Sequence, residues 1–389
     1  MFQYVYWLLA CFFVVGLIFL SVDFYYWFID RYSRYRIGRW QNHQSWIKRY
    51  NRTVIKWLPK TPPVQISDNT HLILWDKITG KFSRNCVQSW QTAGLVLGAC
   101  EYTQNDTDEL LKKCTKHFID TEGMWRKKPT NVDNSMLAFS LLKYSKRSEF
   151  IRPAMDYMIS IVEKFISDED QMIIYNQRTN LRYVDTLGLV CPFLVLYAKI
   201  YKEHKYQNLA YEQIRKFNKV GLFQNTYLPA HAYEINSKLP MGVYGWGRGT
   251  GWYIIGVLDS FIEMSDSDEK NKLRSQLLAM ADFYARFQRQ DGGFGTFLQD
   301  KKTYDSSATA IFAYFYACCH DIFVKNEYAE ISRRSLDMLK SKTRMSGKLD
   351  NCQGDTKDVG IFSTRYDSLP FAQGFGLRAY AKIQDVAAN

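Results

Sequence analysis

The first twenty-two residues, "MFQYVYWLLACFFVVGLIFLSV", hold no charged side chain, and the stretch from Arg31 to Lys60 holds no Asp or Glu. The first absence excludes an ordinary water-facing segment, because roughly 20 apolar residues suffice to cross a bilayer as a helix. Nothing basic precedes the run and no small-residue cleavage site ends it, which argues against a signal peptide. The run continues into "SVDFYYWFIDRYSRYR", where Tyr25, Tyr26 and Trp27 are placed like an interfacial aromatic belt. An uncleaved transmembrane anchor over residues 1–29 is therefore expected, with a buried core helix as the alternative. The second absence leaves nine Lys and Arg between Arg31 and Lys60 unbalanced, most of the chain's net charge of +12. A Lys/Arg excess marks the cytoplasmic flank of a span. The expected protein is thus single-pass, with the membrane as a partner and its large domain in the cytoplasm. Outside that collar the chain is only mildly basic and carries no zinc-finger or RRM-like signature, so nucleic acid is not expected as a partner.

Proline is scarce, at nine residues, and there is no Ser/Gly-rich tract, which argues against disorder and long internal linkers. Cys11 lies in the span; Cys86, Cys100, Cys114, Cys191, Cys318, Cys319 and Cys352 lie outside it, an odd number with two adjacent. That is poor arithmetic for a disulfide framework, and reduced thiols that fill the core are expected. Also missing are a Gly-x-Gly-x-x-Gly turn, a Walker loop, a Gly-x-Ser-x-Gly elbow and a His-Glu-x-x-His pair. The six histidines are scattered, and "CCHD" at Cys318–Asp321 lacks metal-ligand spacing. Neither a metal nor a nucleotide cofactor is expected.

What the chain does have is apolar helical periodicity. Segments such as "SWQTAGLVLGACEYT", "NSMLAFSLLKYSK", "LGLVCPFLVLYAKIY", "GWYIIGVLDSFIEM", "SSATAIFAYFYACCHDIF" and "PFAQGFGLRAYAKI" place apolar residues three and four apart, with similar segments between them. Strand-like alternation is scarce; "QMIIYN" and "GGFGTFL" could be short extended pieces. Polar loops separate the helices in pairs, a rhythm of hairpins whose loops converge at one end. An all-α toroid of helical hairpins fits the count, whereas a solenoid should show a fixed-period repeat. The expected domains are the anchor at 1–29, a basic collar and linker at 30–70, and the barrel at 71–389.

Two sets of residues could carry chemistry. "VYGWGRGTGWYIIGVLDS" alternates glycines with Trp246, Arg248, Thr250 and Trp252 just ahead of a helix. It reads either as a turn whose tryptophans cap the core or as a binding rim of rings, guanidinium and bare backbone at Gly249. Asp133, Asp185 and Asp305 each stand at the start of an apolar helix, where an aspartate serves either as a cap or as a catalytic acid. The flat apolar neighbours Tyr183, Pro192, Trp246 and Tyr304 would desolvate a carboxyl and raise its pKa. Paired carboxyls, one held as an acid, are the usual equipment for sugar chemistry.

The motifs "VDNSMLAFSLL", "YVDTLGLVCPFL", "LFQNTYLPAHAY", "GWGRGTGW", "DGGFGTF" and "DSSATAIFAY" occur in the order found in the unsaturated glucuronyl and unsaturated rhamnogalacturonyl hydrolases, glycoside hydrolase families 88 and 105, which the chain resembles from about Cys86 to Ala381. The resemblance implies an (α/α)6 barrel that removes an unsaturated uronic acid from the non-reducing end of an oligosaccharide. It further implies that Asp185 is the general acid and base, protonating C4 of the double bond and helping water add at C5. Asp133 would assist, His231 would lie near the leaving side, and Trp246, Arg248, Gly249, Trp252 and Tyr183 would line the sugar site. The membrane anchor departs from the common pattern of such enzymes. It leaves open a second reading, a membrane-anchored sugar-binding or polysaccharide-processing subunit with the same barrel and either a saturated substrate or no turnover.

Overall fold

The computed structural model describes residues 2–83, 87–103, 107–177 and 179–387. Among them are fourteen α-helices, in chain order α1 (Phe2–Arg34), α2 (His43–Trp57), α3 (Ile73–Ile78), α4 (Ser89–Tyr102), α5 (Thr107–Phe118), α6 (Ser135–Lys143) and α7 (Ser148–Lys164). They continue as α8 (Asp185–Tyr201), α9 (His204–Val220), α10 (Gly247–Glu263), α11 (Asp268–Ala285), α12 (Ser306–Phe323), α13 (Asn326–Ser341) and α14 (Pro370–Ala387).

The helices after α3 alternate between two environments. α4, α6, α8, α10, α12 and α14 are apolar on every side and pack each against the next, with α14 returning to α4 to close the ring. In α8 every residue from Thr186 to Ala198 is buried, as expected of a helix with no polar face. α5, α7, α9, α11 and α13 lie outside and between these, each with a polar outer side. The result is an (α/α)6 barrel.

The sixth outer helix comes from an unexpected place. α2 lies within the stretch expected to be collar and linker, yet it packs on both α4 and α14 across the seam of the ring. Trp46, Tyr50, Val54 and Trp57 are buried on one side, while Lys48, Arg49, Arg52 and Lys56 face out on the other. Charge dominated that stretch of sequence and obscured an amphipathic period of 3.6. The barrel therefore begins at α2.

α1 buries none of its residues. Its 33 residues make a rod about 50 Å long, and its apolar window, of mean hydropathy 2.5, is long enough to cross a membrane. Cys114, Cys191, Cys318, Cys319 and Cys352 are buried and unbridged; Cys86 lies outside the described residues. "QMIIYN" and "GGFGTFL" contribute only single bridges, Ile173 to Ile166 and Phe297 to Trp246.

The inner helices share one charge network, met near the C-terminal ends of α4, α6, α8 and α10 and at the middle of α12 and α14. Arg378 of α14, fully buried, meets Asp259 of α10 at 3.0 Å and Glu101 of α4 at 3.0 Å. Its guanidinium also donates to the Tyr314 hydroxyl of α12 at 2.6 Å. Lys143 of α6 bridges Glu263 at 2.9 Å, and Lys199 of α8 reaches the same carboxylate at 3.5 Å. Burial alone would raise the Glu101 carboxyl; Arg378 and Lys143 overcome it and pull the pKa down to about 2. Removing one partner of a buried ion pair leaves an uncompensated charge, at a cost of about 3–5 kcal/mol. Arg378→Ala should lower the unfolding free energy of the detergent-solubilised chain by about that amount. Lys199→Ala, at the half-exposed end of the network, should cost no more than about 1 kcal/mol. Equal losses in denaturant titrations of the two variants would show that the network is not organised around Arg378.

Candidate active site

At the opposite end of the ring, the N-terminal ends of the inner helices and their loops surround a cavity of about 250 Å³. Two small antiparallel sheets, neither legible in the sequence, shape it. In the first, β1 (Leu181–Tyr183), β2 (Ala232–Glu234) and β3 (Pro240–Met241) lie in that order, with Tyr183 opposite Ala232. The ladder continues through the Val184 amide, which donates to the His231 carbonyl at 3.0 Å. Residues far apart in sequence are thereby set side by side, His231 against the first turn of α8. In the second sheet, β4 (Cys352–Gln353) pairs with β5 (Tyr366–Asp367), and the loop between them supplies one wall of the cavity.

The three aspartates at helix starts have different surroundings. Asp305 is a cap: its carboxylate accepts from the Ser307 amide at 2.8 Å and from the Ser307 hydroxyl at 2.6 Å. It also accepts from the Gln353 amide at 2.9 Å, which fastens β4 to α12. Asp133 sits in a 3₁₀ turn (Val132–Asn134) ahead of α6 and accepts from the Asn134 side chain at 3.0 Å. Burial pushes its pKa up to about 6, against the pull of its bonds with Asn134. It is not a lining residue of the cavity; the Tyr175 hydroxyl, which is one, is raised first by burial and then by the charges of Asp133, Asp185 and Asp355.

Asp185, the first residue of α8, lines the cavity, and its side chain is 19% exposed. Its Oδ2 is buried with no hydrogen-bond partner, an uncommon state for a carboxylate oxygen. His231 Nε2 lies 3.5 Å from that oxygen, close enough for charge attraction and too long for a good hydrogen bond. Burial raises the Asp185 pKa, opposed by the charges of His231 and Arg248 and reinforced by that of Asp355. The His231 ring is itself held below its ordinary value by burial. Its Nδ1 accepts from the Gly360 amide at 3.3 Å, which puts the proton of the neutral ring on Nε2, facing Asp185.

The glycine-rich stretch is built differently from an open rim. Trp246 and Arg248 line the cavity but are 2% and 1% exposed. The Trp246 indole donates to Gln353 Oε1 at 2.9 Å and packs on His231 and Phe362. Arg248 donates from Nη1 to the Gln353 carbonyl and from Nη2 to the Gly354 carbonyl, at 2.5 and 2.8 Å. Its fork thus holds the β4–β5 loop in place while its charge faces the cavity. The glycines serve this packing. Gly245 turns at φ +75°, and a side chain at Gly249, which does not line the cavity, would meet the Trp246 ring at 2.4 Å. Trp252 lines the cavity and is wedged against Trp90 and Phe371; Tyr183 contributes a half-buried wall.

Several wall residues escaped the sequence reading: Gln88, Tyr175, Asp355, Lys357 and Asp358. Three of them belong to "NCQGDTKDVG", a charged loop between the last two hairpin helices, whose density of Asp and Lys beside glycine was the available signal. Burial raises the Asp355 carboxyl, against the lowering effect of Arg248 and Lys357. A larger cavity, about 500 Å³, lies between α2 and α5 beside Ile55, Leu58 and Leu110. It lacks a comparable convergence of buried acids and bases.

The model of Glycosyl Hydrolase Family 88 matches residues 46–383. The chain belongs to that family. The match starts inside α2, in agreement with the extent of the barrel. Among solved structures, a possible member of the GH105 family from Klebsiella pneumoniae is 16% identical with a TM-score of 0.70, covering 90% of this chain and 95% of its own. An unsaturated glucuronyl hydrolase specific for heparin is 13% identical at a TM-score of 0.66, covering 88% and 98%. The unsaturated glucuronyl hydrolase of Bacillus sp. GL1, responsible for glycosaminoglycan degradation, is 13% identical at a TM-score of 0.62, covering 86% and 93%. No curated protein matches the chain. At such identities the shared property is the fold.

Proposed function

We propose that this glycosidase removes a 4,5-unsaturated uronic acid from the non-reducing end of an oligosaccharide by hydrating its double bond. The observation that carries the reading is the buried Asp185 Oδ2, without a hydrogen-bond partner and facing the Nε2–H of a neutral His231. Burial favours the acid form of this carboxyl, which can deliver its proton to C4. The anion that remains meets the His231 N–H and the Arg248 charge, so its formation is stabilised inside the cavity. Water then adds its hydroxyl at C5 and returns a proton to Asp185. The hemiketal at C5 opens, the bond to the leaving sugar breaks, and no attack at C1 is needed. The Arg248 and Lys357 charges suit the uronate carboxylate, and the raised pKa values of Asp185 and Asp355 reduce the repulsion it would meet. Asp133, whose own pKa is raised to about 6 by burial, assists as a second acid at this end of the barrel.

The protein acts as a single-pass membrane protein with the barrel in the cytoplasm. The Lys/Arg excess that follows α1 supports that orientation. A retained helix is supported by its ties to the barrel: the Asp23 carboxylate accepts from the amides of Leu72 and Ile73 at 2.8 and 2.9 Å, and Arg34 bonds Asp350 at 2.6 Å. A cytoplasm-dependent reporter fused to the C-terminus should be active and an export-dependent one silent; the reverse pattern would overturn the orientation.

The catalytic test is Asp185→Asn, which keeps the shape and loses the transferable proton. Positioned acid–base groups contribute about 10²–10⁴-fold in rate. Turnover of an unsaturated uronyl disaccharide, followed by loss of its ultraviolet absorbance, should fall by about that factor with KM little changed. In the wild type the rate should decline as pH rises through the Asp185 pKa, because the acid form is the active one. Since burial raises that pKa, the limb should lie above the ordinary aspartate value of 3.8. An Asp185→Asn enzyme as fast as wild type would remove Asp185 from the reaction.

A further inference from the structure

α3 is short and carries its apolar residues on the wrong side for a core helix. Ile73 is buried, but Leu72, Trp75 and Ile78 are 53, 51 and 65% exposed. The opposite side is tightly held: the buried Asp76 carboxylate accepts from Gln65 Nε2 at 3.0 Å and Asn69 Nδ2 at 2.9 Å, and from the Ser67 hydroxyl. The exposed side is therefore fixed in place.

Its height along α1 is also fixed. Asp23 is the first charged residue after the apolar run, and its carboxylate binds the first two amides of α3. The Lys77 ammonium lies over the rings of Tyr26 and Phe82, at 5.1 and 4.7 Å. Tyr26 packs on Phe82 with centroids 6.0 Å apart. α3 thus begins where the apolar part of α1 ends, beside the aromatic residues that follow it. Trp and aliphatic side chains flanked by exposed Lys77 and Lys81 are the composition of a segment that lies in a lipid headgroup layer.

We propose that α3 docks into the headgroup region of the phospholipid bilayer that α1 spans, giving the barrel a second, fixed membrane contact. The proposal rests on the reading of α1 as a retained anchor. Its consequence reaches the cavity through Asp68, four residues before Leu72 and so within about 14 Å of chain from the membrane level. The Asp68 carboxylate accepts from the Ser363 hydroxyl at 2.5 Å and the Thr364 amide at 3.1 Å, and pairs with Lys357 at 3.2 Å. The loop that bounds the cavity is therefore fastened to the membrane-docked segment, which holds the cavity near the bilayer.

The test places a thiol-reactive, environment-sensitive fluorophore at Ile78→Cys in the full-length chain, with Cys11→Ser and Cys86→Ser; among the described native cysteines only Cys11 is exposed. The control is Val324→Cys, at the C-terminal end of α12 and 81% exposed. In vesicles of phosphatidylcholine and phosphatidylglycerol, the Ile78 probe should shift to the blue, lose most of its quenching by aqueous iodide and be quenched by headgroup-level spin-labelled lipid. The Val324 probe should behave as in water. A water-like Ile78 probe on a protein that stays in the membrane with its N-terminus intact would overturn the docking and leave the anchor standing. A soluble protein lacking its first residues would overturn both. Protection that rises with protein concentration would assign the face to protein instead and overturn the proposal.

Discussion

The burial of Arg378 with Asp259 and Glu101 is the constraint around which the barrel is organised. A guanidinium that no water reaches is tolerable only while both carboxylates and the Tyr314 hydroxyl stay in place. Those partners stand on α4, α10 and α12, and Lys143 and Lys199 extend the network to α6 and α8. Four of the inner helices are thus held near their C-terminal ends, and α12 and α14 at their midpoints, by a demanding geometry. Helices fixed at one end present their N-terminal ends and loops in a fixed arrangement at the other, where the cavity lies.

The two ends of the ring treat charge in opposite ways. At the Arg378 end each charge is matched, and Glu101 stays ionised down to about pH 2. At the cavity end burial is left partly uncompensated, so Asp133, Asp185 and Asp355 are all pushed toward the neutral acid. Unmatched buried carboxyls destabilise a fold, and their concentration at one cavity is the pattern of a working site. Asp305 separates the two roles: of similar origin at a helix start, it is fully engaged in capping and in fastening β4.

Much of the barrel could be read in the sequence because the inner helices are apolar throughout and the outer ones periodic. α2 could not, since its exposed Lys and Arg drew attention from Trp46, Tyr50 and Trp57 on its other side. Asp185 and His231 could be named singly, but their juxtaposition depends on a three-stranded sheet of very short strands that leaves no alternation to detect. Trp246 and Arg248 were legible as unusual residues. That their polar atoms hold Gln353 and Gly354 is a tertiary fact, since the partners lie over a hundred residues away. The charged loop around Asp355 fell between two helices, where no periodicity marks which side chains turn inward.

The proposed reaction hydrates a double bond and makes no attack on the anomeric carbon. The most direct test is to run the reaction in deuterated water enriched in heavy oxygen and to analyse both products by NMR and mass spectrometry. The expected result is solvent deuterium at C4 of the released uronate, loss of its double bond no slower than release of the sugar, and no heavy oxygen in the hydroxyl of the departing sugar. Release of the departing sugar with the C4–C5 double bond of the uronate still intact and C4 free of solvent deuterium would contradict it.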